Sequence, residues 1–198
     1  MTQVFLNYRG DDEKFGVALI DRALSEVFGE SAIFFASRSI DLGAEWEREM
    51  FDAVRRSEAL LVIMGPNWLE SRLPGTDRRR IDDPDDFVRR EILTAFELGK
   101  QVIPVRLDVR RFTAAELPEP LASLPGLQDI HIHCRTTKPD IDRLAERLRR
   151  LIPSLPDLRP PTAQATPKFV AHAHAGGTVT QAERIDVAGD FIAGPRLG

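Results

Sequence analysis

A chain of 198 residues has room for one domain with a proper core plus a tail, and not for two ordinary domains. With 42% apolar and 29% charged residues it has the composition of a soluble globular protein, and a net charge of −4 with no basic stripe free of acidic neighbours argues against a nucleic-acid binder. The single cysteine, Cys134, excludes an intramolecular disulfide; lying in an apolar run, it is expected to be a buried, inert thiol of an intracellular protein.

No stretch approaches the roughly 18 apolar residues of a membrane span, and the longest apolar run, residues 59–64, has the length of a strand. The first residues enter a β-prone segment without a basic and apolar leader, so a cytoplasmic protein with no membrane partner is expected. That segment, Val4-Phe5-Leu6-Asn7-Tyr8, ends in Arg9-Gly10-Asp11-Asp12, a turn whose aspartates can cap a helix. A helix follows over residues 13–28, with Phe15, Leu19, Ala23 and Val27 on one face. Residues 32–35 read as a second strand, and a polar stretch leads to a helix over residues 44–57 with Trp46, Met50, Ala53 and Val54 inward. The third strand, 59–64, is stopped by Gly65-Pro66. Residues 67–86, with mixed charge beside Pro74-Gly75 and Pro84, read as a solvated excursion.

The stretch 85–100 reads as a helix whose ends are written in the chain, an aspartate pair at the cap and Leu98-Gly99 at the stop. Val88, Ile92, Ala95 and Phe96 form a stripe that packs on a sheet, whereas Phe87 and Glu91, four apart, share another. An aromatic and a carboxylate one turn apart suit a flat cationic ring held beside a negative charge; they equally suit a surface glutamate beside an edge-buried phenylalanine. A strand over 101–107 follows, whose Pro104 suggests a terminal or irregular position. Residues 112–127, broken by Pro118, Pro120 and Pro125, hold at most a short helix. A last strand over 130–134 precedes a final helix over 139–152 with Ile141, Leu144, Ala145, Leu148, Leu151 and Ile152 inward.

Five short strands alternating with helices define an α/β protein with a flavodoxin-like five-stranded parallel sheet, helices on both faces and the order 2-1-3-4-5, plus a C-terminal tail. The switch point then lies between strands 1 and 3, which brings Tyr8-Arg9-Gly10 to Gly65-Pro66-Asn67-Trp68. The domain covers residues 1–153, a proline-rich linker 154–168, and a short tail 169–198 in which 178–182 and 185–192 can pair as a hairpin or add to another chain's sheet edge. His131-x-His133 and His172-x-His174 each offer two imidazoles without a third ligand, so no metal is expected. Ser37 and Ser39 have no evident base, so no hydrolase triad is readable.

Residues 2–153 resemble the Toll/interleukin-1 receptor (TIR) domain, in particular its bacterial, enzymatic branch. Residues 4–12 look like its first box, and Arg38-Ser39-Ile40-Asp41-Leu42-Gly43 stands at the second box and its flexible loop, with Leu42 where proline is usual. Residues 62–69, 86–92 and 99–105 match in kind and order. In enzymatic members the corresponding helix begins Trp-x-x-x-Glu; carried over, the catalytic glutamate is Glu91 and the aromatic is Phe87, a smaller ring than the usual tryptophan. The resemblance implies an NAD+ glycohydrolase releasing nicotinamide and ADP-ribose or a cyclised form, with NAD+ as substrate and no further cofactor. It also implies homo-oligomerisation through TIR–TIR contacts and an intracellular defence role. The substrate-binding set is then Phe87, Tyr8, Arg9, Gly10, Ser37, Arg38 and Trp46. Arg9 is suited to the pyrophosphate or to pairing with Asp11 or Asp12; Tyr8 lines the crevice or closes the sheet edge; Trp46 belongs to the site or to the core. Two alternatives remain open, a non-catalytic adaptor acting through homotypic assembly, with the tail contacting a protein partner, and a nucleoside 2-deoxyribosyltransferase-like enzyme.

Overall fold

The computed structural model describes residues 3–40, 42–159, 169–174 and 177–182; the chain divides into a unit Met1–Leu158 and a unit Arg159–Gly198. In the first unit the β-branched and aromatic runs form five parallel strands: β1 (Val4–Asn7), β2 (Ile33–Phe34), β3 (Ala59–Met64), β4 (Gln101–Leu107) and β5 (Ile130–Ile132). Their order is β2-β1-β3-β4-β5, with Val4 opposite both Ile33 and Ala59, as the alternation of elements predicts. Pro104 sits inside β4, opposite Val62, one residue before pairing with β5 begins at Val105. The proline is thus internal to the sheet, but at the end of the ladder it shares with β5.

Because successive strand residues face opposite sides, the sheet builds two cores. Val4, Leu6, Leu61, Ile63, Val105 and Leu107 pack with helices α1 (Lys14–Phe28) and α5 (Thr137–Leu151). Phe5, Leu60, Val62 and Met64 pack with α3 (Trp46–Arg56) and α4 (Phe87–Glu97), α2 (Ala36–Ser39) being a single turn after β2.

Several sequence expectations are corrected. Helix α1 turns Val17, Ile20, Leu24 and Phe28 inward, while Phe15 is 89% exposed and Leu19 about half so. Gly16 explains the rotation: a Cβ there would lie 2.7 Å from Leu107, so the helix makes its closest approach to the sheet along the 16-20-24-28 row, one residue past the expected one. The stretch 67–86 is not a solvated excursion, because Trp68 and Ile81 are wholly buried and Leu69 nearly so. Helix α3 begins at Trp46, which is 49% exposed; Phe51, Ala53 and Val54 carry its buried face. Leu151 of α5 is likewise half exposed. Strand β5 stops at Ile132, which leaves Cys134 exposed rather than buried, its backbone N–H bonded to Asp108 (2.8 Å). Residues 112–127 hold three short 3-10 turns.

The first unit extends past residue 153, since Leu155 is buried and the Leu158 N–H bonds the Val27 carbonyl (2.8 Å). In the second unit β6 (Phe169–His174) and β7 (Gly177–Ala182) form an antiparallel hairpin, Phe169 opposite Ala182. The hairpin partner of 178–182 is therefore 169–174; the segment 185–192 lies outside the described residues.

Candidate active site

Helix α4 is fixed at both ends. Asp86 at its N-cap accepts the Arg89 N–H (3.0 Å), and Gly99, at φ +62°, closes the far end with the bond pair Lys100 N–H to Ala95 carbonyl and Gly99 N–H to Phe96 carbonyl. The same Asp86 receives both terminal nitrogens of Arg9, at 2.8 and 3.1 Å, while Arg9 Nε donates to the Trp68 carbonyl (2.8 Å). This fork-to-carboxylate pair is almost fully enclosed and welds the end of β1 to the start of α4. All three guanidinium nitrogens of Arg9 are thereby occupied within the fold, by Asp86 and Trp68 rather than by Asp11 or Asp12.

One turn into α4, Glu91 points onto the sheet beside Asn7, the last residue of β1. Asn7 Nδ2 donates to Glu91 Oε2 at 2.7 Å and to the Val88 carbonyl at 3.1 Å. Glu91 is only 2% exposed, so the bland alternative of a surface glutamate is excluded. Its pKa is pushed up to about 8, above all by desolvation; the Asn7 hydrogen bond opposes the rise, the Asp86 charge adds to it, and Arg9 and Arg90 draw it down. A carboxyl that burial keeps largely protonated at neutral pH, with one hydrogen bond and no ion pair among the described residues, contributes nothing evident to holding the core.

The aromatic wall is double. Phe87 is half-buried and its ring centroid lies 4.5 Å from that of Trp46, the two planes tilted by 58°. Arg90 lies over both Phe87 (5.3 Å) and Phe51 (4.7 Å) and bonds Glu47 (2.9 Å), tying α4 to α3. Trp46 is thus a surface aromatic against Phe87, not a core residue, and together they present the ring area that Phe87 alone lacks.

The other expected residues divide between the two faces. Tyr8 follows Asn7 and turns to the opposite face, packing with the α1 and α5 layer; its hydroxyl lies 3.1 Å from Ser37 Oγ and its ring 5.4 Å from Phe35. Arg38 bonds Asp21 (2.6 Å), Ser25 and the Glu30 and Ile33 carbonyls, so its fork is occupied by α1 and the start of β2. Tyr8, Ser37 and Arg38 therefore sit together, away from Glu91. Gly10 is exposed in the turn, where a Cβ would meet nothing. The two switch-point loops do meet: Asp12 accepts the Gly65 and Asn67 N–H groups at 2.8 and 2.9 Å, and a Cβ on Gly65 would strike Asp12 at 2.7 Å. Asn7 joins the site unannounced by the sequence, and Asp86, expected only as part of the capping pair, joins it as the partner of Arg9. The only signal available was parity along β1, which places Asn7 and Arg9 on the face of α4. Among the described residues no three His, Cys, Asp or Glu side chains come together to hold a metal ion; the ring centroids of His131 and His133 lie 3.7 Å apart with their planes tilted by 39°, and His133 bonds Asp140. No helix among these residues is long and apolar enough to cross a membrane.

Fold and site together define a flavodoxin-like α/β protein with a buried carboxyl at the carboxyl end of its first strand, next to the topological switch point. The chain belongs to the TIR domain family, whose model matches residues 4–152. Among solved structures it is similar to the TIR domains of the activated Roq1 resistosome, which directly recognises the pathogen effector XopQ, with 17% identity over 77% of this chain and 99% of that one and a TM-score of 0.54. It is also similar to a metazoan TIR-STING receptor from C. gigas in complex with 2′,3′-cGAMP, with 21% identity over 72% of this chain and 39% of that one and a TM-score of 0.48. No curated protein matches it.

Proposed function

We propose that this protein is an NAD+ glycohydrolase with Glu91 as its catalytic residue. The observation that carries the reading is the Glu91 carboxyl itself: enclosed, held by Asn7, raised to about 8, and one turn from the paired rings of Phe87 and Trp46.

The chemistry asks for this combination. Cleavage breaks the bond between ribose C1′ and the pyridinium nitrogen; the bonding electrons leave with nicotinamide, which departs neutral and needs no strong acid. Positive charge develops on the ribose as an oxocarbenium ion, water adds to C1′ and loses a proton, and ADP-ribose results. A carboxylate set beside the sugar in a site of low polarity stabilises that charge far more than water does. The neutral, closed state of Glu91 is the resting form. Entry of a pyridinium cation against Phe87 and Trp46 favours the ionised carboxylate, so substrate prepares the group that it needs. Because Arg9 is consumed by Asp86, its part is to hold the α4 start in place rather than to grip the pyrophosphate.

The proposal extends to self-association through TIR–TIR contacts in an intracellular defence role. Glu91 being nearly enclosed supports an activity that awaits a rearrangement of the α3 and α4 starts. Incubation of concentrated protein with NAD+ tests the activity: nicotinamide is released by the wild type and not by Glu91→Gln. Equal turnover by the two would remove Glu91 from the reaction; no turnover by either would leave the adaptor reading in its place.

A further inference from the structure

We infer that Asn7 is the positioning residue of this site: its amide pins one oxygen of Glu91 to the end of β1 so that the other, Oε1, faces the reacting sugar. The inference rests on the proposed function for its chemical meaning and on geometry for its content.

Asn7 is wholly buried and closes β1, opposite Val62 of β3. Both hydrogens of its amide are committed, one to Glu91 Oε2 and one to the Val88 carbonyl. This settles the orientation of the amide, since reversing it would set an oxygen against two acceptors. The consequence is a cost: Asn7 Oδ1 is enclosed without a hydrogen-bond partner among the described residues. An apolar residue of similar size would carry no such penalty, so Asn7 stands here at a cost to stability. What the arrangement gains is a fixed Glu91. Asn7 Nδ2 is the donor that Glu91 has, reaching across from another element to a side chain that would otherwise choose among rotamers. Glu91 Oε1 receives no such bond among the described residues, and it is left as the oxygen open to a ligand.

The charged groups around Glu91 do not duplicate the task. Asp86, at the cap of α4, opposes its ionisation; Arg9, two residues past the end of β1, is bonded to Asp86; Arg90, on α4, is turned to Glu47 and the rings of Phe87 and Phe51. Asn7 alone donates directly to the carboxyl among the described residues, and a donor to a carboxylate favours its charged form.

The test follows the Glu91 side-chain carboxyl by carbon NMR across pH in the wild type, Asn7→Ala and Asn7→Ser, without substrate, together with kcat and KM for NAD+. Serine is too short to span the bond and guards against a fold lost in the alanine variant. In both variants the Glu91 midpoint is expected to rise by roughly one pH unit from the wild-type position, the size of a hydrogen bond to a charged group. kcat falls at least tenfold with KM within about threefold, as expected for a group that is displaced rather than a lost binding contact. An unmoved midpoint overturns the inference, as does a raised midpoint with unchanged kcat at a pH where both forms are ionised. If the wild type itself releases no nicotinamide, the proposed function fails, and the NMR midpoint still decides whether Asn7 governs Glu91.

Discussion

Replacing Glu91 by glutamine should stabilise the protein, and increasingly so as pH rises. An unfolded chain ionises this residue at its ordinary 4.5, whereas the folded protein holds the proton to about 8. The folded state therefore binds the proton more tightly, and ionising it costs stability between those values. The penalty is absent below 4.5, where both states carry the proton, and complete above about 8. At 1.36 kcal/mol per pH unit it is under about 1 kcal/mol at pH 5, about 3 kcal/mol at pH 7 and about 5 kcal/mol at pH 9. Glutamine escapes it, because it cannot ionise and its carbonyl still accepts from Asn7 Nδ2. Urea unfolding of wild type and Glu91→Gln at pH 5, 7 and 9, compared pairwise so that other titrations cancel, reads the difference directly. A gap that stays constant with pH, or a glutamine variant less stable at pH 9, would show that Glu91 is not buried as described.

Breaking the Arg9–Asp86 pair with Asp86→Asn should lower stability by about 3–5 kcal/mol, since the guanidinium is left enclosed without its counter-charge while the helix cap survives; it should also lower the Glu91 midpoint by removing a neighbouring negative charge. Unchanged unfolding would place that pair in solvent. Phe87→Ala should raise KM for NAD+ by roughly tenfold, the size of one lost aromatic stack, with Trp46→Ala close behind because the rings touch, whereas Phe87→Trp should keep or lower it. Identical constants in all three would make the rings packing alone. Specific activity should fall on dilution if neighbouring subunits open and complete the site; a constant value in a monomer verified by light scattering would set that idea aside.

The strands were legible because buried parallel strands are near-continuous apolar runs, and their order followed from right-handed crossovers. The face of α1 was not, because the rows 15-19-23-27 and 16-20-24-28 are both plausible and only the approach of Gly16 to Leu107 selects the second. Trp68 and Ile81 were hidden inside a run of charges whose partners are distant: Arg9 meets Asp86 across 77 residues and the Trp68 carbonyl across 59. At the site, the spacing of Phe87 and Glu91 was readable, and the resemblance gave it meaning. The burial of Glu91 was not readable, since it depends on Asn7, 84 residues away. Tyr8 shows the limit of grouping by sequence neighbourhood, as one step along a strand moved it to the other face from Asn7.

The pH dependence of kcat/KM for nicotinamide release from NAD+, corrected for release without protein, tests the central claim most directly. If ionised Glu91 is the working group, kcat/KM rises about tenfold per pH unit below 8 and levels off above it, and kcat shows a lower midpoint because the bound pyridinium favours the carboxylate. A profile flat from pH 5 to 9, or one that Glu91→Gln leaves unaltered, would contradict the assignment of this carboxylate to the reaction.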